Sequence, residues 1–258
     1  MDLPLKRIDT PEVADRARQR LEHAGLRWGL FWMPFAIDAP APQYEAGLER
    51  LKAMAPLAAA AGAGRTYNHI WPAHDCLDYV SNFHFHVERI KPVADLLREH
   101  GITYGIEFIG PQTMREGHRH PFIHRLDQAL ELIDAAGGGC GLVLDTFHWY
   151  TSGGTLDELR RALPGVDIVN VHVNDAQPDR SRDAQLDHER AMPLATGVID
   201  AAQVLGILHE LKYDGPVIVE PFEPEKQRLS HLDRDAAAAE VIECMKQLMQ
   251  QAGIDGWA

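Results

Sequence analysis

Four side chains of the types that bind divalent metal ions follow one another along the second half of the chain, each near the end of an apolar segment. They are Glu107 in YGIEFIG, Asp145 in GLVLDTFHWY, His172 in IVNVHVND and Glu220 in VIVEPFE. Carboxylate oxygen and imidazole nitrogen together suit a divalent ion. Any one of these carboxylates taken alone is better explained as the N-cap of a following helix. Four in succession predict one shared metal site.

The segments that carry these residues belong to a regular alternation of strands and helices. Strands are predicted at 26–35, 65–70, 102–109, 140–147, 167–174 and 216–222, with a ragged segment at 3–8. Helices are predicted over 43–61, 125–136, 201–211 and 234–252. Three further helices are predicted: one that starts at Pro11, one that runs through Val87 and Leu97, and one that starts at Thr155. The connections are too long for hairpins, so the pattern predicts a parallel α/β protein with its helices outside.

Residue alternation in the His172 strand predicts which side faces inward. Val169, Val171 and Val173 should point one way, toward helices, and Asn170, His172 and Asn174 the other way, into a barrel. A polar stripe on the inner face is costly unless it is hydrogen-bonded or binds something. The chain is predicted to be one domain over 1–258. Its six clear strands and the ragged segment fall one βα unit short of an eight-stranded barrel.

The amino-acid composition argues against nucleic acid as a partner and against a location in a membrane. The chain has 25 Lys plus Arg against 38 Asp plus Glu, a net charge of −13 that opposes binding to nucleic acid. The three cysteines, Cys76, Cys140 and Cys244, are widely spaced and indicate a reducing, cytoplasmic location. No apolar run approaches the ~20 residues of a membrane span, and the start MDLPLKRIDT lacks a signal-peptide core.

The order Glu, Asp-x-x-His, His-x-Asn-Asp, Glu on successive strands resembles the xylose isomerase-like TIM-barrel superfamily of sugar phosphate isomerases and epimerases. The resemblance covers the chain from about Leu26 onward. It implies a TIM (β/α)8-type barrel that lacks the first βα unit and part of the second. It also implies that the four residues above hold one Mn, Mg, Co or Zn ion and that His148 contacts the substrate.

The function that this resemblance implies is isomerisation or epimerisation of a small keto-sugar or keto-polyol. Glu107 and Glu220 are the candidates for removing and returning the proton next to the carbonyl. His69 and Trp71, near the end of an early strand, are predicted to contact the substrate. One of Arg180, Arg182 and Arg190 should do so as well, with Arg180 preferred.

Three alternatives remain open from the sequence. An inosose-type dehydratase would use the same residues. A zinc nuclease resembling endonuclease IV would need further ligands, for which His69, His148, Asp187 and His188 are candidates. A catalytically silent sugar-binding module would keep the ligands without turnover.

The missing unit predicts a gap in the barrel wall between the N-terminal strand and the Glu220 strand. An open strand edge exposes unpaired backbone groups, so we expect a rearranged N-terminal segment or a second copy in a homodimer to cover it.

Overall fold

The computed structural model describes residues 2–254, and a parallel five-stranded sheet curves through its centre in the order β1-β3-β5-β6-β7. The strands are β1 Arg65–Ile70, β2 Ala73–His74, β3 Thr103–Phe108, β4 His120–Pro121, β5 Cys140–Asp145, β6 Ile168–Val173 and β7 Val217–Val219. The short strands β2 and β4 form a separate antiparallel pair outside this sheet. All five strands of the main sheet were predicted, each within a few residues of its observed bounds.

Helices follow the strands and cover the outside of the sheet. They are α1 Pro11–His23, α2 Ala41–Ala60, α3 Tyr79–Glu99, α4 Leu126–Ala135, α5 Thr146–Thr151, α6 Leu156–Ala162, α7 Ala201–Glu210, α8 Glu225–Ser230 and α9 Arg234–Gln251. Thr10 and Thr155 cap α1 and α6 through their side-chain oxygens, as their sequence positions predicted. In the described part of the chain, no helix combines the length and apolar character needed to cross a bilayer.

The first two predicted strands, 3–8 and 26–35, are less regular than predicted. Segment 26–35 contains a single parallel bridge, between Phe31 and Leu3, instead of a full strand. Phe31 also donates its N–H to the Arg65 carbonyl at 3.0 Å, which joins the segment to β1. Beyond Leu3 the predicted strand 3–8 is wrong, because Leu5–Arg7 forms a 3-10 turn. Pro4 has no N–H with which to continue a ladder.

The apolar core divides into two clusters. The larger lies between the strands and the helices, and it includes Val171 and Val173. The smaller contains only wall residues, and it fills the inside of the barrel. Its members are Leu30, Tyr67, Val143 and Val169, with Ile218 packed against them.

Val169 therefore lies inside the barrel, and the predicted orientation of this residue is wrong. The β5–β6 register shifts at this point, since Leu142 pairs with Ile168 while Val143 pairs with Asn170. Val169 is the extra residue of a β-bulge, which turns its side chain inward. Gly105 and Gly141 provide the space, because a Cβ there would approach the Val169 Cγ2 to 2.9 and 2.8 Å.

The bulge is held from across the barrel. The guanidinium of Arg65, at the start of β1, donates to the carbonyl of Val169 at 3.1 Å and to that of Ile168 at 3.4 Å. Strands β1 and β6 are not neighbours in the sheet, so this contact spans the barrel interior.

The wall is open beside β7. Within residues 2–254, β7 pairs with β6 and its other edge meets no strand. A cleft of about 810 Å³ separates this edge from the segment Gly25–Gly29. Among residues 2–254, Leu3 forms a bridge to Phe31 and none to β7. Closure by a second copy stays a prediction.

Candidate metal centre

The four predicted ligands converge at the carboxyl ends of neighbouring strands. Asp145 is the last residue of β5, and Glu107 and His172 are the last but one of β3 and β6. At most 2% of each residue is exposed. Glu220 follows β7, where its N–H donates to the Val173 carbonyl at 3.0 Å. Its side chain remains 25% exposed, which makes it the most accessible of the four. Parallel strands place such ends at one edge, so the sequence order predicted this convergence.

His172 is the centre of the cluster. Its Nδ1 lies 3.0 Å from Glu107 Oε1, 3.6 Å from Glu220 Oε2 and 3.7 Å from Asp145 Oδ2. Possible ligand atoms fall into two overlapping groups, each within 4.8 Å, that share Asp145. One group contains Glu107 and His148, and the other contains His172 and Glu220.

Asp145 combines both of the roles that its sequence position suggested. One carboxylate oxygen, Oδ1, accepts from the N–H groups of Phe147 and His148 at 2.6 and 3.2 Å and so caps α5. The other oxygen, Oδ2, faces His172 and the guanidinium of Arg190. The helix cap thus fixes the orientation of the oxygen that faces the centre.

Arg190 is the arginine that reaches the cluster. It is 2% exposed, and its Nη1 donates to Asp145 Oδ2 at 2.7 Å and to Glu220 Oε2 at 2.8 Å. Arg180, which the sequence favoured, instead pairs with Glu189 at 2.6 Å and does not touch the predicted ligands. Both arginines lie in one polar loop, and nothing in residue type or spacing distinguishes them.

A buried carboxylate holds the loop that carries Arg190. Asp175 is completely buried and accepts four backbone N–H groups at 2.8–3.0 Å. The donors are Ala176, Thr196, Gly197 and Ile199. Asp175 also forms an antiparallel β-bridge with Ala191, the residue after Arg190. The guanidinium is therefore positioned by backbone contacts as well as by its own ion pairs.

The two candidate catalytic glutamates experience opposite electrostatic environments. Burial opposes ionisation of Glu107, but His172 and His69 outweigh it, so the pKa of Glu107 lies below its usual range. Burial, together with the carboxylates of Asp145 and Glu107, raises the pKa of Glu220 to about 8 against the lowering effects of His172 and Arg190. Carboxyl groups whose pKa values are pushed apart in this way suit opposite roles in proton transfer.

The other predicted contact residues border the centre. His69 Nε2 lies 3.1 Å from Glu107 Oε2, and the His69 side chain is 41% exposed. Trp71 is 43% exposed, and its ring centroid lies 6.4 Å from that of His69. His148 is buried, and its Nδ1 accepts the Gly110 N–H at 3.2 Å. His69 and Trp71 thus leave accessible surface beside the carboxylates.

Of the four additional ligands that a three-zinc nuclease would need, the described residues bring His148 into a group of possible ligand atoms and leave out the other three. Asp187 is engaged by Arg190 at 2.8 Å, and the His188 side chain is 80% exposed. Among residues 2–254, neither group of possible ligand atoms includes His69, Asp187 or His188.

The residues present fit a divalent cation. Three carboxylates and one imidazole supply the oxygen and nitrogen donors that such ions take. A positive group already lies between two of them, since the Arg190 guanidinium bridges Asp145 and Glu220. This guanidinium compensates part of the buried negative charge, and a bound divalent ion would compensate more of it.

The fold and the cluster together define a (β/α)8-type barrel protein with a carboxylate–histidine centre at the carboxyl ends of its strands. The chain belongs to the xylose isomerase-like TIM barrel family, whose model matches residues 2–248.

Known proteins extend this likeness. An inosose isomerase from Halalkalibacterium halodurans is 32% identical over 148 residues, which are 56% of this chain and 48% of that protein. The chain thus spans about half the length of the curated relatives it matches.

Two solved structures share the fold. A xylose isomerase domain protein from Alicyclobacillus acidocaldarius matches with a TM-score of 0.83 and 26% identity, over 98% of this chain and 88% of that one. The IOLI protein, solved with a binding zinc atom, matches with a TM-score of 0.75 and 19% identity, over 93% of this chain and 82% of that one.

Proposed function

We propose that this protein is a divalent-metal-dependent isomerase or epimerase of a small keto-sugar or keto-polyol. The observation that supports this most directly is the convergence of three carboxylates on Nδ1 of His172 at the strand ends. Similarity to an inosose isomerase supports the substrate class.

Glu107, Asp145, His172 and Glu220 would hold the ion. When bound, it supplies Lewis-acid polarisation of the substrate carbonyl, which contributes several kcal/mol to such reactions. Glu107 and Glu220 come from the two outer strands of the ligand set, β3 and β7. This placement supports removal of the proton next to the carbonyl by one carboxylate and its return by the other. General acid–base catalysis of this kind contributes about 10²–10⁴-fold in rate.

Substrate positioning falls to residues that border the carboxylates. Arg190 is a buried donor that already holds Asp145 and Glu220, and its Nη2 lies 3.1 Å from Nε2 of His148. Either side chain would bind a substrate oxygen by releasing one of these contacts. His69, beside Glu107, and the half-exposed ring of Trp71 would contact the sugar from the solvent side.

Turnover in D₂O tests the proposal. Protein loaded with Mn²⁺, Co²⁺ or Zn²⁺ is incubated with a panel of keto-sugars and keto-inositols, and products are followed by NMR. We expect deuterium at the carbon next to the carbonyl, and no turnover after chelation. Turnover without deuterium incorporation would refute proton abstraction.

The same panel separates the alternatives. Loss of water from the substrate identifies a dehydratase, which begins with the same proton removal. Metal binding without turnover identifies a binding module, and cleavage of abasic DNA identifies a nuclease.

A further inference from the structure

The two ring nitrogens of His172 have different surroundings. Nδ1 faces the carboxylates of Glu107, Asp145 and Glu220 at 3.0–3.7 Å. Nε2 lies 2.8 Å from the side-chain amide nitrogen of Asn170. Nδ1 is therefore the nitrogen that can bind an ion among the carboxylates, whereas Nε2 contacts Asn170.

Asn170 has an unused hydrogen-bonding atom at this place. The residue is completely buried, and its Oδ1 has no hydrogen-bond partner. With Nδ2 donating to Nε2, the ring hydrogen resides on Nδ1 and points to Glu107. An asparagine amide carries a donor and an acceptor of similar size, and a half-turn about its Cβ–Cγ bond exchanges them.

A histidine that binds an ion through one ring nitrogen carries its hydrogen on the other. For His172 that hydrogen would be on Nε2, where it faces Asn170. The amide nitrogen, itself a donor, cannot accept it, whereas the amide oxygen can. The half-turn supplies that acceptor and gives Oδ1 the partner that it lacks.

We propose that Asn170 is a positioning residue of the metal centre, whose amide oxygen accepts Nε2–H of His172 and so presents Nδ1 to the ion. This inference rests on the metal centre proposed above. Alternation along β6 explains why Asn170 is available for the role. With Val169 as the extra residue, Asn170 pairs with Val143 of β5 and shares the inner face with His172.

Metal affinity of matched variants tests the role of Asn170. Asn170→Leu keeps the approximate volume but removes the acceptor, whereas Asn170→Asp keeps an acceptor and adds a buried charge. We expect Asn170→Leu to bind Co²⁺ or Zn²⁺ about 10–100-fold more weakly than the wild type, the usual effect of losing such a partner. Asn170→Asp should bind at least about tenfold more tightly than Asn170→Leu.

A packing role predicts the reverse order, because leucine fits an apolar surrounding better than a carboxylate does. Asn82→Leu is the control, since Asn82 is 2% exposed and lies on α3, away from the centre. Its affinity for the ion should equal that of the wild type. Asn170→Asp binding no more tightly than Asn170→Leu would overturn the proposal.

A measurement on the wild type keeps the test decisive if a variant does not fold. ¹⁵N NMR of the Zn²⁺-loaded protein should place the His172 hydrogen on Nε2 and the ion on Nδ1; the opposite assignment overturns the role of Asn170. If the wild type takes up no ion, the metal centre itself fails. If it binds normally and Asn170→Leu matches it, only the role of Asn170 fails.

Discussion

The two sides of the barrel differ in how completely they are closed. On the closed side, which comprises β3, β5 and β6, each strand has a neighbour on both edges. Every residue of β5 is buried. On the open side, which comprises β7 and the cleft beside it, all three strand residues are only half-buried. Glu107, Asp145 and His172 come from the closed side and Glu220 from the open side, so three of the proposed ligands are buried and one retains access to solvent.

The largest expected effect compares one glutamate from each side. Glu107→Gln should weaken Co²⁺ binding by more than the ~10–100-fold that an outer partner contributes, because its rigid neighbours cannot replace the lost ligand. Glu220→Gln should weaken it less, since water can reach that position. Both should lower turnover by about 10²–10⁴-fold. Chelator competition measures the Co²⁺ affinity, and turnover assays measure the rate. If Glu220→Gln binds Co²⁺ more weakly than Glu107→Gln does, the comparison is contradicted.

A second pair compares aspartates at different depths. Asp175→Asn turns an amide NH₂ toward buried backbone N–H groups, which should lower the free energy of unfolding by about 3 kcal/mol. Asp233→Asn at the exposed start of α9 should change it by less than about 0.5 kcal/mol, because both residues cap helices well. Urea unfolding measures both. Equal changes would show that the Asp175 loop is not specially anchored.

A smaller effect concerns pH. Burial lowers the pKa of His86, on α3 against the closed side, below the ordinary 6.5. The unfolded chain therefore binds a proton first, and the free energy of unfolding should fall as pH drops below about 6.5 toward the folded pKa. His86→Phe should weaken this dependence, and the same change at exposed His84 should not. Midpoints of urea unfolding, measured from pH 7.5 to 5, test this prediction. If His86→Phe has the same pH dependence as the wild type, the prediction is contradicted.

The smallest effect uses one substitution on each side. Ile106→Val removes a methylene from a fully buried site on β3 and should cost about 0.5–1.5 kcal/mol. Ile218→Val, on half-buried β7, should cost less than about 0.5 kcal/mol. If solution measurements give equal costs, a second copy covering the β7 edge becomes the better explanation, which light scattering would test.

The sequence predicted the parts of the centre that depend on strand ends. The convergence of Glu107, Asp145, His172 and Glu220 could be predicted because an apolar run predicts a strand and parallel strands align their ends. Arg190 was not distinguished from Arg180, because backbone bonds to Asp175 position that loop and no periodicity records them. The burial of His86 in α3 does not follow from its alternation with aromatic residues, because the period of the helix decides which side chains face inward.

The inward turn of Val169 also escaped the alternation rule, because a bulge depends on what lies across the barrel. The Arg65 guanidinium holds that bulge by donating to the carbonyls of Ile168 and Val169, which lie 103 and 104 residues further along the chain. A slip of one residue in β6 would turn His172 and Asn170 away from the centre. The contact from β1 therefore adds a third constraint on the register of β6, beside its ladders with β5 and β7. A chain in which β1 had not docked would lack this constraint, so the inward orientation of His172 depends in part on a contact between distant segments of the sequence.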